Sequence, residues 1–156
     1  MKRFGLARRL RAWSAPLLKS SLFFPVLFGS GVGKADEPPT INVIEFRMDL
    51  KARGGKVRCG LFEREGWLKK PVASAVVKPS GDSALCVFEK IPAGVYGISA
   101  FHDENNNGKL DTNLVGYPTE TYCASRNARN LFSAPSFDDA KFSYKGGRKR
   151  LEARMK

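Results

Sequence analysis

Residues 95–101 read VYGISAF, and the chain continues directly into HDENNNGKLD at residues 102–111. β-Branched and aromatic residues favour an extended strand. The sequence IPAG at 91–94 predicts a tight turn before this segment, and a run of Asp and Asn follows it. Turn residues on both sides of a short apolar run predict a β-strand, and this is the clearest strand signal in the chain.

The segment 41–50 alternates between apolar and polar positions. Ile44, Phe46, Met48 and Leu50 are apolar, with charged residues between them. A period of two residues is typical of a strand with one buried face. A turn at RGGK, residues 53–56, and a second alternating run at 57–61 predict that these two strands form a hairpin.

Further strands are predicted at residues 73–78, 84–88 and 137–144, and no stretch of 12 residues after residue 40 has helical periodicity. Short strands separated by Gly, Pro and Asp turns are typical of β-sandwiches. The sequence therefore predicts an all-β fold, a single small antiparallel β-sandwich of about seven strands over residues 36–144.

The first 35 residues have the order of a secretory signal peptide. Residues 1–13 are basic, residues 22–28 (LFFPVLF) are apolar, and Gly33-Lys34-Ala35 offers small residues for cleavage. The apolar run is far shorter than the roughly 20 residues that a membrane span needs. We therefore expect residues 1–35 to be a signal peptide and the mature protein to be periplasmic or secreted. A retained N-terminal anchor is the alternative.

The formal net charge of +12 is concentrated at the two ends of the chain. Residues 1–35 hold seven basic and no acidic residues, and residues 141–156 hold seven basic and one acidic residue. Residues 36–140 hold 13 basic and 14 acidic residues. A near-neutral centre and the predicted export argue against nucleic acid as a partner. Residues 145–156 are expected to form a basic, solvated tail with possible peripheral contact to an anionic envelope surface.

Three cysteines follow the predicted cleavage point, and none lies in a C-x-x-C motif. Cys59 and Cys86 both lie in strand-like contexts, and an oxidising compartment favours a disulfide between them. Such a bond is worth roughly 3–4 kcal/mol in the chain-entropy model. Two buried reduced cysteines are the alternative. Cys123 is expected to be the free thiol.

The segment after the strand at 95–101 fits the first half of a calcium-loop template, D-x-[DN]-x-[DN]-G. Leu114 replaces the bidentate Glu at position 12 of an EF-hand, so we expect weak affinity, roughly 10⁻⁴–10⁻³ M. The alternative is a metal-free turn in which Asn and Asp side chains bond their own backbone. The expected ligands are Asp103, Asn105, Asn107, Asp111 and the backbone carbonyl of Lys109.

A polar segment between residues 116 and 135 contains no clear strand or helix. Long irregular segments are often functional. No G-x-S-x-G motif, phosphate loop or dinucleotide fingerprint is present, so no catalytic residue is assigned. An alternative packs this segment on the calcium-like turn, with Arg126 pairing Asp103 or Asp111. The ligand-binding candidates are His102, Glu120, Tyr122, Ser125, Arg126 and Asn127.

Four blocks occur in order along the chain: FHDENNNGKLDTN at 101–113, GYPTETY at 116–122, SRNAR at 125–129 and PSFDDAKF at 135–142. Together they resemble the exported bacterial family catalogued as domain of unknown function 2141. The resemblance covers about residues 41–144 and implies a fold and a location but no reaction.

Two further features bear on this resemblance. The placement of the first two cysteines is similar to that of the family, which supports the Cys59–Cys86 pairing. The turn PAGVY at 92–96 is similar to turns of transthyretin-like and carboxypeptidase-regulatory β-sandwiches. Family members tend to have Gly and Phe where this chain has Cys123 and Ala124, so this thiol could pair with another molecule.

The leading hypothesis is an exported, non-enzymatic β-sandwich module with a calcium-binding loop, acting in binding or structure at the cell envelope. The alternative is a small-ligand-binding or hydrolytic domain that uses His102 and residues 116–130. An adhesive or assembly subunit forms a third class, and a long unpaired edge strand is its expected sign.

Overall fold

The computed structural model describes residues 41–51, 54–130 and 133–156. The predicted signal peptide at 1–35 lies outside the described residues. No helix in the described part of the chain has the length and apolar character needed to cross a bilayer.

The described chain forms eight strands. They are β1 (Val43–Asp49), β2 (Lys56–Phe62), β3 (Ala73–Val77), β4 (Ser83–Glu89), β5 (Gly94–Asp103), β6 (Tyr122–Ala124), β7 (Phe142–Tyr144) and β8 (Arg148–Arg154). A 3₁₀ turn spans Ser125–Asn127, and the short helix α1 spans Phe137–Ala140.

The strands form two sheets. A three-stranded sheet has the order β4–β1–β8, and a five-stranded sheet has the order β3–β2–β5–β6, with β7 also paired with β5. The paired strands are antiparallel except β1 and β8, which run parallel. The predicted all-β sandwich is therefore confirmed, with eight strands and one parallel pair.

The core lies between the sheets and follows the predicted alternation. Ile44, Phe46, Met48 and Leu50 are buried, and the charged residues between them face outward or lie at the surface. On β5 the side chains that point inward are Tyr96, Ile98, Ala100 and His102, all of them buried. The other face of β5 points away from this core.

The predicted hairpin between the first two strands is wrong. β1 pairs with β4 and β8 in one sheet, and β2 pairs with β3 and β5 in the other. The alternation shows which face of each strand is buried, but both a hairpin and a crossover between sheets satisfy it. The turn at Gly54–Gly55 therefore carries the chain from one sheet to the other.

The C-terminal segment is not a solvated tail. Residues 148–154 form β8, which pairs with β1 over all seven of its residues, from Val43 opposite Arg148 to Asp49 opposite Arg154. Ala153 and Met155 are buried in the core. Frequent basic residues hid this strand, because one of them occupies an inward position that usually carries an apolar residue. Lys149 is at this partly buried position, and its ammonium lies over the ring of Phe142, 5.8 Å from the ring centroid. The domain boundary predicted at residue 144 is therefore wrong.

Acidic groups of β1 compensate part of the basic charge of β8. Glu45 accepts hydrogen bonds from Arg148 Nη1 at 2.6 Å and Arg150 Nε at 2.7 Å. The hydrogen bond from Arg150 is the largest influence that holds the pKa of Glu45 below its ordinary value. The parallel register also sets Glu152 opposite Arg47. Part of the positive charge counted in the sequence is thus paired within the sheet.

Two other segments differ from the prediction. The strand predicted at 137–144 begins as helix α1, because the hydroxyl of Ser136 caps it by accepting a hydrogen bond from the backbone N–H of Asp139. Only its end, Phe142–Tyr144, is a strand. The segment predicted as irregular between 116 and 135 contains β6, which is three residues long and too short to show alternation.

The two sheets are joined covalently. Cys59 on β2 and Cys86 on β4 form a disulfide, with 6.5 Å between their Cα atoms. This confirms the predicted pairing and excludes the alternative of two reduced cysteines. Cys123 is free and buried on β6.

A second apolar cluster covers part of the outward face of β5. The ring of Trp67 lies on Gly97, where a Cβ atom would come within 2.7 Å of the ring. Trp67 donates a hydrogen bond from Nε1 to the carbonyl of Pro135 at 2.8 Å. The rings of Phe62 and Phe137 pack edge-on against it, with centroid distances of 5.5 and 5.6 Å. Glycine at position 97 therefore admits a large side chain onto the sheet.

Deletion of residues 148–156 tests whether β8 is part of the fold. We expect the shortened chain to lose its cooperative thermal transition, or to melt at least about 15 °C lower, because β1 loses a full-length neighbour and the core loses Ala153 and Met155. Circular dichroism during heating measures this. The matched control, Arg148→Gln with Arg150→Gln in the full chain, should melt within about 3 °C of wild type, because exposed ion pairs contribute little. A deletion variant that melts like wild type would show that these residues are a solvated tail.

Candidate functional site

The last residue of β5 is a buried carboxylate on the outward face of the sheet. Asp103 is fully buried, and Arg58 on the neighbouring strand β2 donates a hydrogen bond from Nε to its Oδ2 at 2.6 Å. Burial alone raises the pKa of Asp103, but the hydrogen bonds from Arg58 and from the backbone N–H of Gly108 outweigh it and hold the pKa below its ordinary value. Asp103 is therefore ionised and paired with a fixed cation.

The loop that follows folds around this carboxylate. Asp103 accepts hydrogen bonds from the backbone N–H groups of Asn107 and Gly108, both at 2.9 Å. Asn105 Oδ1 accepts from the N–H of Asn107 at 3.0 Å, and Asn107 Oδ1 accepts from the N–H of Lys109 at 2.8 Å. Such contacts of Asn and Asp with nearby N–H groups define Asx turns. The backbone of the loop is thus held by its own side chains.

The amide nitrogens of the same residues meet at Asp111. Asn105 Nδ2 donates to Asp111 Oδ2 at 2.6 Å, and Asn107 Nδ2 donates to Asp111 Oδ1 at 2.8 Å. Each amide oxygen already accepts a backbone N–H, so the amide nitrogens must face the carboxylate. Asp103, Asn105, Asn107 and Asp111, with the backbone N–H of Lys109, therefore form one hydrogen-bonded network.

This arrangement does not fit a calcium ion. Calcium requires six to eight oxygen ligands, at about 2.3–2.6 Å. Here two N–H₂ groups face Asp111, and the guanidinium of Arg58 occupies one oxygen of Asp103. Within the part of the chain that the structure describes, no three His, Cys, Asp or Glu side chains are grouped to hold a metal. Calcium binding stays a prediction from the sequence.

Glu120 closes the loop from outside. Its Oε1 accepts a hydrogen bond from the N–H of Glu104 at 2.9 Å, and its Oε2 accepts one from the N–H of Asp111 at 3.1 Å. Glu120 is 8% exposed, so both oxygens are engaged in a largely buried position. This candidate for ligand binding therefore joins the two ends of the loop.

His102 lies on the opposite face of β5 from Asp103. It is fully buried, and its Nε2 lies 2.8 Å from the carbonyl oxygen of Gly54. Its Nδ1 lies 3.6 Å from Glu104 Oε1 and has no hydrogen-bond partner among the described residues. Gly55 packs closely here, because a Cβ atom would lie 2.5 Å from the carbonyl of Asp103. Although His102 and Asp103 are adjacent in sequence, they cannot act on the same substrate atom, because their side chains lie on opposite faces of the sheet.

The candidates Ser125, Arg126 and Asn127 form the 3₁₀ turn and hold elements together. Ser125 is fully buried; its Oγ donates to the carbonyl of Ala140 at 2.6 Å and accepts from the N–H of Ile98 at 3.0 Å.

The next two residues of the turn face other elements. Arg126 donates to the carbonyl of Lys141 at 3.4 Å, and Asn127 accepts from the N–H of Arg154 at 2.9 Å. The predicted alternative, in which Arg126 pairs with Asp103 or Asp111, is wrong, because Arg58 and the loop amides fill those positions.

Tyr122 differs from the other candidates because it lines a cavity. The cavity measures about 270 Å³ and lies on the outward face of the five-stranded sheet, beside Trp67 and its neighbours. The outward side chains of Ser99 and Phe101 on β5 form its floor with Tyr122. Residues 133–135 form one wall, and five residues from the segment before β6 form another: Leu110, Thr112, Gly116, Tyr117 and Pro118. His102, Arg126 and Asn127 do not line it.

The expectation that Cys123 pairs with another molecule is wrong. The side chain is 1% exposed, and burial raises the pKa of the Cys123 thiol to about 12. A buried, protonated thiol is a poor nucleophile. Cys123 therefore acts as a core residue.

Two features of this site were missed in the sequence. The first is Arg58, the partner of Asp103. The available signal was a basic residue at an outward position of β2, between the buried residues Val57 and Cys59. The second is the cavity floor, for which Phe101 at an outward position of β5 was the signal. Both features depend on contacts between strands that are distant in sequence. Arg58 and Asp103 are 45 residues apart, and Phe101 and Tyr122 are 21 residues apart.

The fold and the site define a small, disulfide-linked β-sandwich protein. The family described as uncharacterized protein conserved in bacteria (DUF2141) matches residues 48–152, and the chain belongs to this family. No curated protein and no solved structure matches the chain. The match ends inside β8, which agrees with the finding that this strand is part of the domain.

Substitution Arg58→Met tests the ion pair beneath the loop. We expect the variant to melt roughly 10 °C lower than wild type, because it leaves the carboxylate of Asp103 buried without its cation. The matched control Arg150→Met removes an exposed arginine from its carboxylate and should melt within about 3 °C of wild type. Differential scanning calorimetry at neutral pH measures both.

The difference in melting temperature between wild type and Arg58→Met is predicted to depend on pH. Because the pKa of Asp103 is lowered in the folded chain, the pair stabilises the fold above the ordinary value of 3.8, and this contribution is lost as the pH falls through the lowered pKa. The difference in melting temperature between wild type and Arg58→Met should therefore narrow below pH 3.8. A difference that stays constant down to acid unfolding would contradict this account of Asp103.

Calcium titration distinguishes a calcium-binding loop, as the sequence pattern predicts, from a loop held only by the observed hydrogen bonds. Calcium binding predicts a rise in melting temperature that Asp111→Asn abolishes, whereas a self-bonded loop predicts no change. We expect no change in the melting temperature at about 5 mM calcium, a concentration above the weak extracellular range. A calcium-dependent rise that disappears in Asp111→Asn would overturn our interpretation of the loop.

Proposed function

We propose that this chain is exported from the bacterial cytoplasm and serves as a non-catalytic binding or structural module of the cell envelope. The observation that carries this proposal is the buried disulfide between Cys59 and Cys86, which joins the two sheets. Structural disulfides form and persist in oxidising compartments and are rare in the bacterial cytoplasm. The basic and apolar order of residues 1–35 supports the same location.

The arrangement of the candidate catalytic residues within the described part of the chain supports a non-catalytic role. His102 is the single histidine of the chain, and it is buried on the core side of β5. Ser125 is also fully buried, and its hydroxyl is engaged by two backbone groups. Neither residue shares a cavity with Tyr122 among the described residues. A hydrolytic role for these residues therefore has no geometric support.

Two further roles would depend on the surface of β8. At the end of the edge strand β8, side chains already bond the backbone of Arg154. Asn127 accepts a hydrogen bond from its N–H, and Arg129 donates one to its carbonyl at 3.0 Å. Strand addition by an assembly partner gains no support along this end of the edge. Contact of β8 with anionic lipid or polymer stays a prediction, with Glu45 reducing the charge available for it.

Export is tested by expressing the full chain in a bacterial host and measuring the intact mass of the protein in the periplasmic extract. We expect a product that lacks about 35 residues, in which one thiol of three reacts with alkylating agent after unfolding. A chain that lacks residues 2–35 is the matched control. It should stay in the cytoplasm with all three thiols reduced.

Two results separate the alternatives. Export of the full chain with its mass unchanged would indicate a retained N-terminal anchor. Recovery of the full chain from the cytoplasm with three reduced thiols would contradict the proposal.

A further inference from the structure

The cavity on the outward face of the five-stranded sheet has a floor built from neighbouring strands. Phe101 on β5 lies directly opposite Tyr122 on β6 in the strand register, so the two side chains stand side by side. Ser99 lies two residues before Phe101 on the same face of β5. All three are partly exposed, in a sheet whose inward side chains are buried. The floor is thus a rigid surface of aromatic carbon with hydroxyl groups at its edge.

The wall over this floor is ordered by its own hydrogen bonds. Asn113 Oδ1 accepts the N–H groups of Val115 and Tyr117 at 3.1 and 2.9 Å, and the N–H of Asn113 donates to the carbonyl of Tyr117 at 2.8 Å. Thr112 forms an isolated bridge with Pro118. The N–H of Asp111 is bonded to Glu120, which holds the base of this wall. The cavity is therefore formed without a ligand, as most small-molecule sites are.

The lining of the cavity carries no charge. Among the described residues, none of those that line it is Asp, Glu, Lys, Arg or His. The other clefts of the described chain differ: one contains Glu63, Arg64 and Lys141, and another contains Arg129 and Arg154. One cation lies near the floor, because the guanidinium of Arg129 is 5.8 Å from the centroid of the Tyr122 ring. It is not among the lining residues and donates a hydrogen bond to the carbonyl of Arg154. A charged molecule that entered the cavity would lose hydration without meeting an opposite charge in the lining itself. The lining therefore selects against ions.

Polar groups are present but few. The hydroxyls of Ser99, Thr112 and Tyr122 make no hydrogen bond within the described residues, and Asn130 stands at the opposite rim. A volume of about 270 Å³ is just below the range of typical ligand sites, roughly 300–1,000 Å³, so the cavity suits a small molecule. An aromatic floor favours a flat apolar ring, and the hydroxyls offer one or two hydrogen bonds to it.

We propose that this cavity binds a small uncharged molecule with a flat apolar ring and a hydroxyl or carbonyl group. The ring would lie on Phe101 and Tyr122, and the polar group would face Ser99 or Thr112. This inference deepens the proposed function by naming the ligand class of the module. It is tested on purified protein, so its failure is distinct from a failure of export.

The test compares two probes that share the same ring system, one of them neutral and the other an anion. Isotope-labelled full chain is titrated with 2-naphthol, which is neutral at pH 7, and with 2-naphthoate, which is an anion. We expect 2-naphthol to shift the amide resonances of Ser99, Phe101 and Tyr122, with a dissociation constant of about 1 mM or lower. The affinity for 2-naphthoate should be at least about tenfold weaker. Lactose, which is neutral but polar on most of its surface, should cause no shift.

Matched variants locate the binding. Ser99→Leu places a larger side chain on the cavity floor and should weaken 2-naphthol binding at least about tenfold. Val95→Leu also places a leucine on the same strand and face, outside this cavity, and should bind as wild type. Both positions are partly or well exposed, and equal melting temperatures of the two variants will show that folding is preserved.

The proposal would be overturned by absence of 2-naphthol binding up to its solubility limit or by equal affinity for 2-naphthol and 2-naphthoate. Shifts confined to other surfaces, or unchanged binding in Ser99→Leu, would also overturn it. Binding of lactose with no binding of 2-naphthol would also overturn it, because the site would then select a polar ligand.

Discussion

The alternation of side chains along β5 is the constraint on which the rest of the structure depends. Its inward residues supply the centre of the core, with Ile98 and Ala100 fully or almost fully buried between the sheets. Its outward residues receive Trp67 on Gly97 and then form the floor of the cavity. A shift of one residue in its register with β2 would reverse both faces at once. The disulfide from β2 to the opposite sheet and the ion pair between β2 and β5 both depend on this register.

The two sites at the end of β5 differ in what they offer a ligand. In the loop at 103–111, every carboxylate and amide group discussed above is engaged by a hydrogen bond or by Arg58. Polar groups that satisfy one another stabilise a turn but leave few ligands for an ion. The neutral cavity has the opposite character, because its aromatic carbon and hydroxyls are accessible. Glu120 links them, since it fixes Asp111 at the start of the cavity wall. The loop therefore supports the wall of the cavity.

The sequence predicted the features that depend on local pattern. The buried face of β1, the strand at 95–101, the Cys59–Cys86 pair and the family were all correct. Features that depend on contacts between distant segments were missed. β8 was hidden because edge strands carry exposed basic residues, and its pairing with β1 spans more than 100 residues. The candidate site was predicted from chemically active residue types, and of those only Tyr122 lines the cavity. The hydroxyls and aromatic rings that form its floor are common in structural positions too.

A crystal structure of the protein, grown in calcium and soaked with 2-naphthol, tests the central claim most directly, because it shows the loop and the cavity together. Our account predicts density for the ring between Phe101, Tyr122 and the wall at 110–118, with Arg58 on Asp103 and the amides of Asn105 and Asn107 on Asp111. The contrary result is an ion with six or more oxygen ligands in the loop, Arg58 displaced from Asp103, and no density in the cavity. That outcome would make the loop the functional site and the cavity an incidental gap.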